Sequence, residues 1–487
     1  MSLLASVSGR QLLLTAVITA VMSCSPTVDN LGHMKQQAGA GAGGAAASSS
    51  GDGRVVTVLR PMACPAQYRN PYREILGKSE YDVFNHVFEG FGTLFHGIGK
   101  TEAIYFEEGG EQATIRDILH DSQVRSEGMG IGMLVAAMLG RRDEFDRLWR
   151  YARAKMQHED EPLKGYFRSW CDEAADSASV NSDTVPCVDP YGFQQILMAL
   201  LVAREKFAVR DIDYGAEALR LFDVLRNKEF DQRSVGLAAA GGASGGQPSP
   251  RSGAASSGQA GAVSVGTSSG DATNAEVVSN LFDEETRLVY VDPRAKRNRV
   301  TATAFLMPGY YSVWAQLTGD AYYSEAAQAA RDFFAEVAHS TTGLIPIRAT
   351  FEGVAAEGWD RFSPEAYRAL VNLVIDQVWG LPDGQWSAGH IRRLLEFFKS
   401  QGLSSYQTSY KLDGSGGDGE HPLELVLVNG VLAAFSGLSS TDKKSFVEAA
   451  WGVPAVNPGG TDGLTRYYHG ILYLVSNLIL SGQFRLC

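Results

Sequence analysis

Residues 125–139 read Arg-Ser-Glu-Gly-Met-Gly-Ile-Gly-Met-Leu-Val-Ala-Ala-Met-Leu. From residue 129 onward this stretch is apolar all the way round a helix. A helix of that kind has to be covered by protein on every side. Residues 197–203 and 425–435 have the same character. Such helices need an outer layer, and the rest of the chain supplies one. Apolar stretches with helical period occur near 80–94, 129–139, 143–157, 193–207, 216–227, 302–317, 325–338, 364–378, 389–398, 422–438, 442–451 and 465–480. Loops of uneven length join them, and no repeat of fixed length is present, which argues against a solenoid. The spacing predicts an all-α fold: six helical hairpins closed into a double ring, an (α/α)6 barrel. The uniformly apolar stretches are its expected inner helices.

The chain has 487 residues, enough for one large domain or two ordinary ones, and 45% of them are hydrophobic, enough to fill a core. The net charge of −12 argues against nucleic acid as a partner, because phosphate backbones need clustered Lys and Arg. The 22 Phe, 19 Tyr and 7 Trp suit sugar stacking and an ordinary core equally.

Arg10, the apolar run Leu12 to Met22, and Ser23-Cys24 read as an export signal over residues 1–24, too short to span a bilayer. Val21-Met22-Ser23-Cys24 resembles a lipobox, so two outcomes stay open: lipidation at Cys24, or plain secretion. The protein is expected in the periplasm, on the outer membrane as a lipoprotein, or outside the cell. Its only membrane contact would be a lipid on Cys24. Residues 25–53, rich in Gly, Ala and Ser, read as a tether, and 54–487 as one folded domain, expected to be monomeric. A second low-complexity stretch, about 238–273, reads as a disordered surface insertion, since the helical pattern on both sides forms one series. An oxidising compartment favours cysteine pairing. Cys171 and Cys187 flank one loop, and Cys64 and Cys487 lie at the two ends of the folded region; buried free thiols are the other reading.

Four places carry side chains suited to chemistry. Glu127 stands where an apolar helix begins. The helix dipole there favours a carboxylate anion, whereas an acid catalyst needs burial or a second carboxylate nearby. Glycines 128, 130 and 132 leave room for a bulky neighbour, either a ligand or another helix. Asp189-Pro190 has the form of an N-cap followed by the first helical residue. Ser363-Pro364-Glu365 starts a helix with an acidic first turn. His421 lies between Glu420 and Pro422, after the glycine-rich loop 413–419. It is either a ligand contact or an exposed loop residue. No HExxH, GxSxG, phosphate-binding loop or CxxC spacing occurs, so neither a metal nor a cofactor is implied.

Several segments taken together resemble glycoside hydrolase family 8. They are Arg125 to Met133 with Phe145-Asp146-Arg147-Leu148-Trp149; Lys164-Gly165-Tyr166-Phe167 and Trp170; Asn70-Pro71-Tyr72-Arg73 through Leu94-Phe95-His96-Gly97; and Arg466-Tyr467-Tyr468-His469-Gly470 through Ser481-Gly482-Gln483-Phe484-Arg485. The resemblance covers 64–487 apart from the low-complexity stretch. It is strongest to the branch of reducing-end xylose-releasing exo-oligoxylanases. It implies an (α/α)6 catalytic domain and an inverting, cofactor-free mechanism on an oligosaccharide.

Carried over by position, the resemblance makes Glu127 the general acid and Asp189 a residue that holds the sugar at the cleavage point. Two extra residues follow Asp189 before Met198-Ala199-Leu200, so Tyr191, Gln194 or Gln195 are candidates to share its role. Glu365 stands where the family has the aspartate that acts as general base. The family pattern Phe-x-x-Asp-Ala-Trp-Arg here reads Phe362-Ser-Pro-Glu365-Ala-Tyr-Arg368. The extra methylene adds ~1.5 Å of reach, in a mechanism that needs about 6.5–9.5 Å between carboxyls for the attacking water. His421 matches a loop histidine that contacts the reducing-end sugar. Arg125 and Arg368 lie beside the two carboxylates and either tune them or anchor helices. Trp170, Tyr191, Tyr367 and Trp386 are candidate sugar platforms. The expected activity is inverting hydrolysis of β-1,4-xylo-oligosaccharides with release of reducing-end xylose. The alternatives are an endo-acting glucanase or chitosanase, or a carbohydrate-binding protein impaired at Glu365.

Overall fold

Among the described residues, twelve long helices alternate between two layers. The computed structural model describes residues 48–49, 54–65, 67–118, 122–161, 163–171, 188–240, 280–293, 299–382, 384–457 and 463–487. The chain divides into residues 1–44 and 45–487, and all described residues belong to the second unit. The helices are α1 (Glu80–His96), α2 (Ser126–Met138), α3 (Arg142–Tyr151), α4 (Pro190–Lys206), α5 (Tyr214–Ala240), α6 (Pro308–Thr318), α7 (Ala321–Val337), α8 (Pro364–Asn372), α9 (Ala388–Gln401), α10 (Leu423–Ala434), α11 (Ser440–Trp451) and α12 (Gly463–Leu480).

The even-numbered helices form the inner ring. α4 is buried continuously from Pro190 to Ala203, α2 from Gly128 to Met138, and α10 from Glu424 to Ala434. Outer α9 buries only His390, Ile391, Leu394, Leu395 and Phe398, a single stripe. α2 packs on α4, α8 on α10, α10 on α12, and α12 back on α2, which closes the ring. This is the (α/α)6 barrel expected from the apolar pattern.

Local sequence sets the helix starts. Ser79 accepts a hydrogen bond from the Asp82 amide at 3.0 Å, and Asp82 accepts one from the Ser79 amide at 3.4 Å, forming a capping box for α1. Pro190, Pro308 and Pro364 open α4, α6 and α8, where a missing N–H costs nothing. The helix expected over 302–317 therefore begins only at Pro308. Val300–Ala302 instead forms a strand paired with Arg348–Thr350, and Thr303–Phe305 a 3-10 turn. The helix expected over 364–378 breaks at Asn372 and resumes as Ile375–Val378. At the break, Asn372 donates to the carbonyls of Ala304 and Leu306 at 3.2 and 2.9 Å, and Ser387 donates to the Leu373 carbonyl. Tertiary bonds override the local pattern there.

α2 and α4 cross at unusually close range. A Cβ on Gly130 would sit 2.5 Å from the Gln195 Cβ, and one on Gly192 would sit 2.6 Å from the Ser126 backbone. Beside Glu127, a Cβ on Gly128 would meet the Tyr467 hydroxyl at 2.5 Å. The glycines make room for protein, which is the second of the two readings their spacing left open.

A disulfide joins Cys64 to Cys487, across 423 residues. Beside it, the Leu486 amide donates to the Tyr68 hydroxyl at 3.1 Å, so the first and last segments of the barrel are fastened together. Cys187 lies outside the described residues, and so does the Cys171–Cys187 pairing. The signal segment and residues 241–273 of the expected insertion also lie outside them. α5 runs to Ala240, at the approximate start of that stretch. Ser48–Ser49, inside the expected tether, pairs with Val55–Val56.

Candidate active site

The first turns of four inner helices meet through their side chains. The third strand of a four-stranded antiparallel sheet, Gln123–Arg125, runs directly into α2 and places Glu127 in its first turn. Glu127 is 17% exposed. Its Oε2 is ion-paired with Arg368 of α8, and its Oε1 accepts a hydrogen bond from the Tyr467 hydroxyl of α12 at 3.2 Å. Glu365 lies one helical turn before Arg368. It is exposed, and its Oε2 accepts from the Ser363 hydroxyl at 2.7 Å. The Tyr468 hydroxyl donates to the carbonyl of Pro364, next to Glu365. Acidic side chains 238 positions apart thus come to one end of the barrel: Arg368, on the helix that carries Glu365, grips Glu127.

Asp189 caps α4. Its Oδ1 accepts from the Tyr191 amide at 3.0 Å, and its Oδ2 from the Ser126 hydroxyl at 2.7 Å. Burial, and secondarily the neighbouring Glu127 charge, push its carboxyl up to about 6, against the Ser126 and Gly192 hydrogen bonds and Arg368. Arg368 is enclosed, which disfavours its charge. Glu127 and the surrounding tyrosines outweigh that and hold it protonated. The Arg368 guanidinium lies over the Tyr191 ring at 4.9 Å and the Tyr468 ring at 5.8 Å.

The raised Asp189 carboxyl has a consequence for stability. The unfolded carboxyl releases its proton near 3.8 and the folded one near 6. The folded state therefore loses stability as pH rises through that window, by on the order of 2–3 kcal/mol in full. Asp189→Asn removes this loss. Denaturant midpoints should shift in the variant's favour, relative to the parent, between pH 4 and pH 7.

Arg125 precedes α2; its Nε stands 3.6 Å from the buried Asp117 carboxylate, and Nη2 donates to Gln123 at 3.2 Å. The Trp170 backbone pairs with Arg125. Tyr191 is 4% exposed and lies beneath Arg368, so its ring is a floor to the site rather than an open platform. Gln194 donates to the Pro190 and Phe305 carbonyls and accepts from Tyr311, and Gln195 accepts from Tyr310. Both tie α4 to α6. Tyr367 is fully buried and bonds the Thr408 carbonyl. Trp386 donates to Asp376 at 2.7 Å and packs on Phe334. Tyr367 belongs to the core, and the half-buried Trp386 packs against it. The His421 ring lies 4.4 Å from the Tyr406 ring, with Nδ1 2.9 Å from the Tyr406 carbonyl.

Three groups at the site were not expected from sequence. Tyr467 and Tyr468 lie in a run already singled out for its resemblance, but nothing local assigns them a contact. Arg348, whose guanidinium stacks on Trp359 at 3.8 Å, lies in the field of Glu365.

Known proteins can be set beside this geometry. No protein-family model matches the chain. The reducing end xylose-releasing exo-oligoxylanase of Halalkalibacterium halodurans is 26% identical over 434 residues, which is 86% of this chain and 94% of that protein. The reducing-end xylose-releasing exo-oligoxylanase Rex8A of Paenibacillus barcinonensis is 26% identical over 421 residues, 84% of this chain and 94% of its own. Endoglucanase A of Acetivibrio thermocellus is 23% identical over 385 residues, covering 77% and 65%. Among solved structures, Rex8A from Paenibacillus barcinonensis complexed with xylose superposes with a TM-score of 0.68 at 24% identity, covering 86% of this chain and 97% of that one. That likeness confirms the fold.

Proposed function

We propose that the chain is an inverting glycoside hydrolase, of the family 8 kind, that releases xylose from the reducing end of β-1,4-linked xylo-oligosaccharides. The observation that carries this reading is the meeting of Glu127 with the helix that bears Glu365, through Arg368. The similarity to exo-oligoxylanases over nearly their whole length supports the substrate class.

In this reading, Glu127 delivers a proton to the glycosidic oxygen as the bond to the anomeric carbon breaks. Glu365 takes a proton from a water molecule on the opposite face of the sugar, and that water's oxygen bonds to the anomeric carbon. Asp189, with its raised carboxyl, serves the sugar at the cleavage point, and His421 the reducing-end unit. Glu365 is one methylene longer than the aspartate of the family pattern. Ser363 offsets this by drawing Oε2 back toward the start of α8. Residues 10–24 support export, which suits the Cys64–Cys487 disulfide.

The test is chromatography of products from xylotriose carrying a label on its reducing-end unit, alongside reduced xylotriose, cello-oligosaccharides and chitosan. Labelled xylose with unlabelled xylobiose is expected, and no cleavage of the glucan or chitosan. Internal cuts in long chains, or preferred cleavage of cello-oligosaccharides, would favour the endo-acting reading instead. Binding without turnover, with activity gained by Glu365→Asp, would mark a catalytically impaired protein.

A further inference from the structure

Three consecutive residues near the start of the closing helix each bind a different inner helix. Tyr467 donates to Glu127 of α2 at 3.2 Å, and Tyr468 to the Pro364 carbonyl at the head of α8. His469 Nδ1 lies 3.0 Å from Glu424 of α10, while its Nε2 lies 2.8 Å from the Pro454 carbonyl. Successive helical residues point about 100° apart, so one turn of α12 can reach three neighbours. Tyr467 is 1% exposed, and His469 and Glu424 are also buried. Gly128 fits this arrangement, since any side chain there would collide with the Tyr467 phenol.

We infer that this run, Tyr467-Tyr468-His469, is a positioning device that sets where the Glu127 carboxyl stands relative to the helix carrying Glu365. The inference rests on the reading of Glu127 as proton donor. An inverting mechanism depends on the spacing of its two carboxyls, because the attacking water must fit between them. Arg368 links the same two helices but is charged, and its guanidinium lies over the Tyr191 and Tyr468 rings. The tyrosines provide a neutral strut from a third helix. The charged and titratable groups facing Tyr467 and Glu127 are Arg368 from α8, Asp189 from α4, Arg125 and Asp117 from the sheet that leads into α2, and Tyr191 and Tyr468.

The test compares Tyr467→Phe and Tyr468→Phe in the full chain. Each keeps the ring and removes one hydroxyl. Steady-state kinetics on xylotriose and thermal unfolding are measured. Tyr467→Phe should lower kcat about tenfold with KM within about twofold, as expected when a positioned group is lost rather than a binding contact. Tyr468→Phe should lower kcat similarly. Both should unfold within a few degrees of the parent. The inference is overturned if both variants keep kcat unchanged, if KM rises in step with the loss, or if activity falls only as far as the folded fraction. Glu127→Gln separates the two levels. If it stays active, the proton-donor reading fails whatever the tyrosines do. If it is inactive while both tyrosine variants behave as the parent, only the positioning device fails.

Discussion

Glu127→Gln is expected to lower hydrolysis of xylotriose by about three orders of magnitude or more, in a chain that still folds. Positioned proton transfer contributes roughly 10²–10⁴ in rate, and an amide of the same shape has no proton acidic enough to give. The fold should survive because the amide oxygen can still accept from Tyr467, and the α2–α4 contact does not involve the carboxylate. Some stability is lost, since the nearly buried Arg368 no longer faces an anion. Circular dichroism, thermal unfolding and product chromatography check the two halves of this prediction separately. Activity within tenfold of the parent would remove Glu127 from the mechanism.

Glu365→Gln is the second large effect, with a loss of the same order. An amide cannot take the proton of the attacking water. The side chain is exposed, and its one hydrogen bond among the described residues comes from Ser363. Its loss should therefore leave stability within about 0.5 kcal/mol, as for other surface positions. The contrast with Glu127→Gln is informative: both variants lose turnover, but only the residue held between α8 and α12 also carries structure. Glu365→Asp should keep measurable turnover, because the carboxylate remains and Ser363 no longer has to draw it back. An inactive Asp variant beside an active Gln variant would place the base elsewhere.

The inner ring was legible because α2, α4 and α10 are apolar on every face, a pattern only a surrounded helix can use. The helix ends at 302 and 372 were not legible. Strand pairing with Arg348–Thr350 sets the first, and side-chain bonds from Asn372 set the second; both depend on residues distant in sequence. The positions of Glu127, Asp189 and Glu365 at helix starts could be read from flanking Pro, Ser and Gly. Tyr467 could not be linked to Glu127, because 340 residues separate them and a tyrosine in an apolar helix carries no sign of its partner. Glycines 128 and 130 were ambiguous for the same reason: the space they leave is filled by Tyr467 and by α4. Tyr367 shows the limit of reading aromatics as sugar platforms, since it is held in the core by a hydrogen bond.

Single displacement by water between two carboxyl groups is read out by proton NMR of the first products of xylotriose. The larger fragment should first appear with its new reducing end in the α configuration, relaxing to the equilibrium mixture afterwards. If that end first appears as the β anomer, the sugar has passed through a covalent intermediate on the protein, and the roles given to Glu127 and Glu365 are wrong.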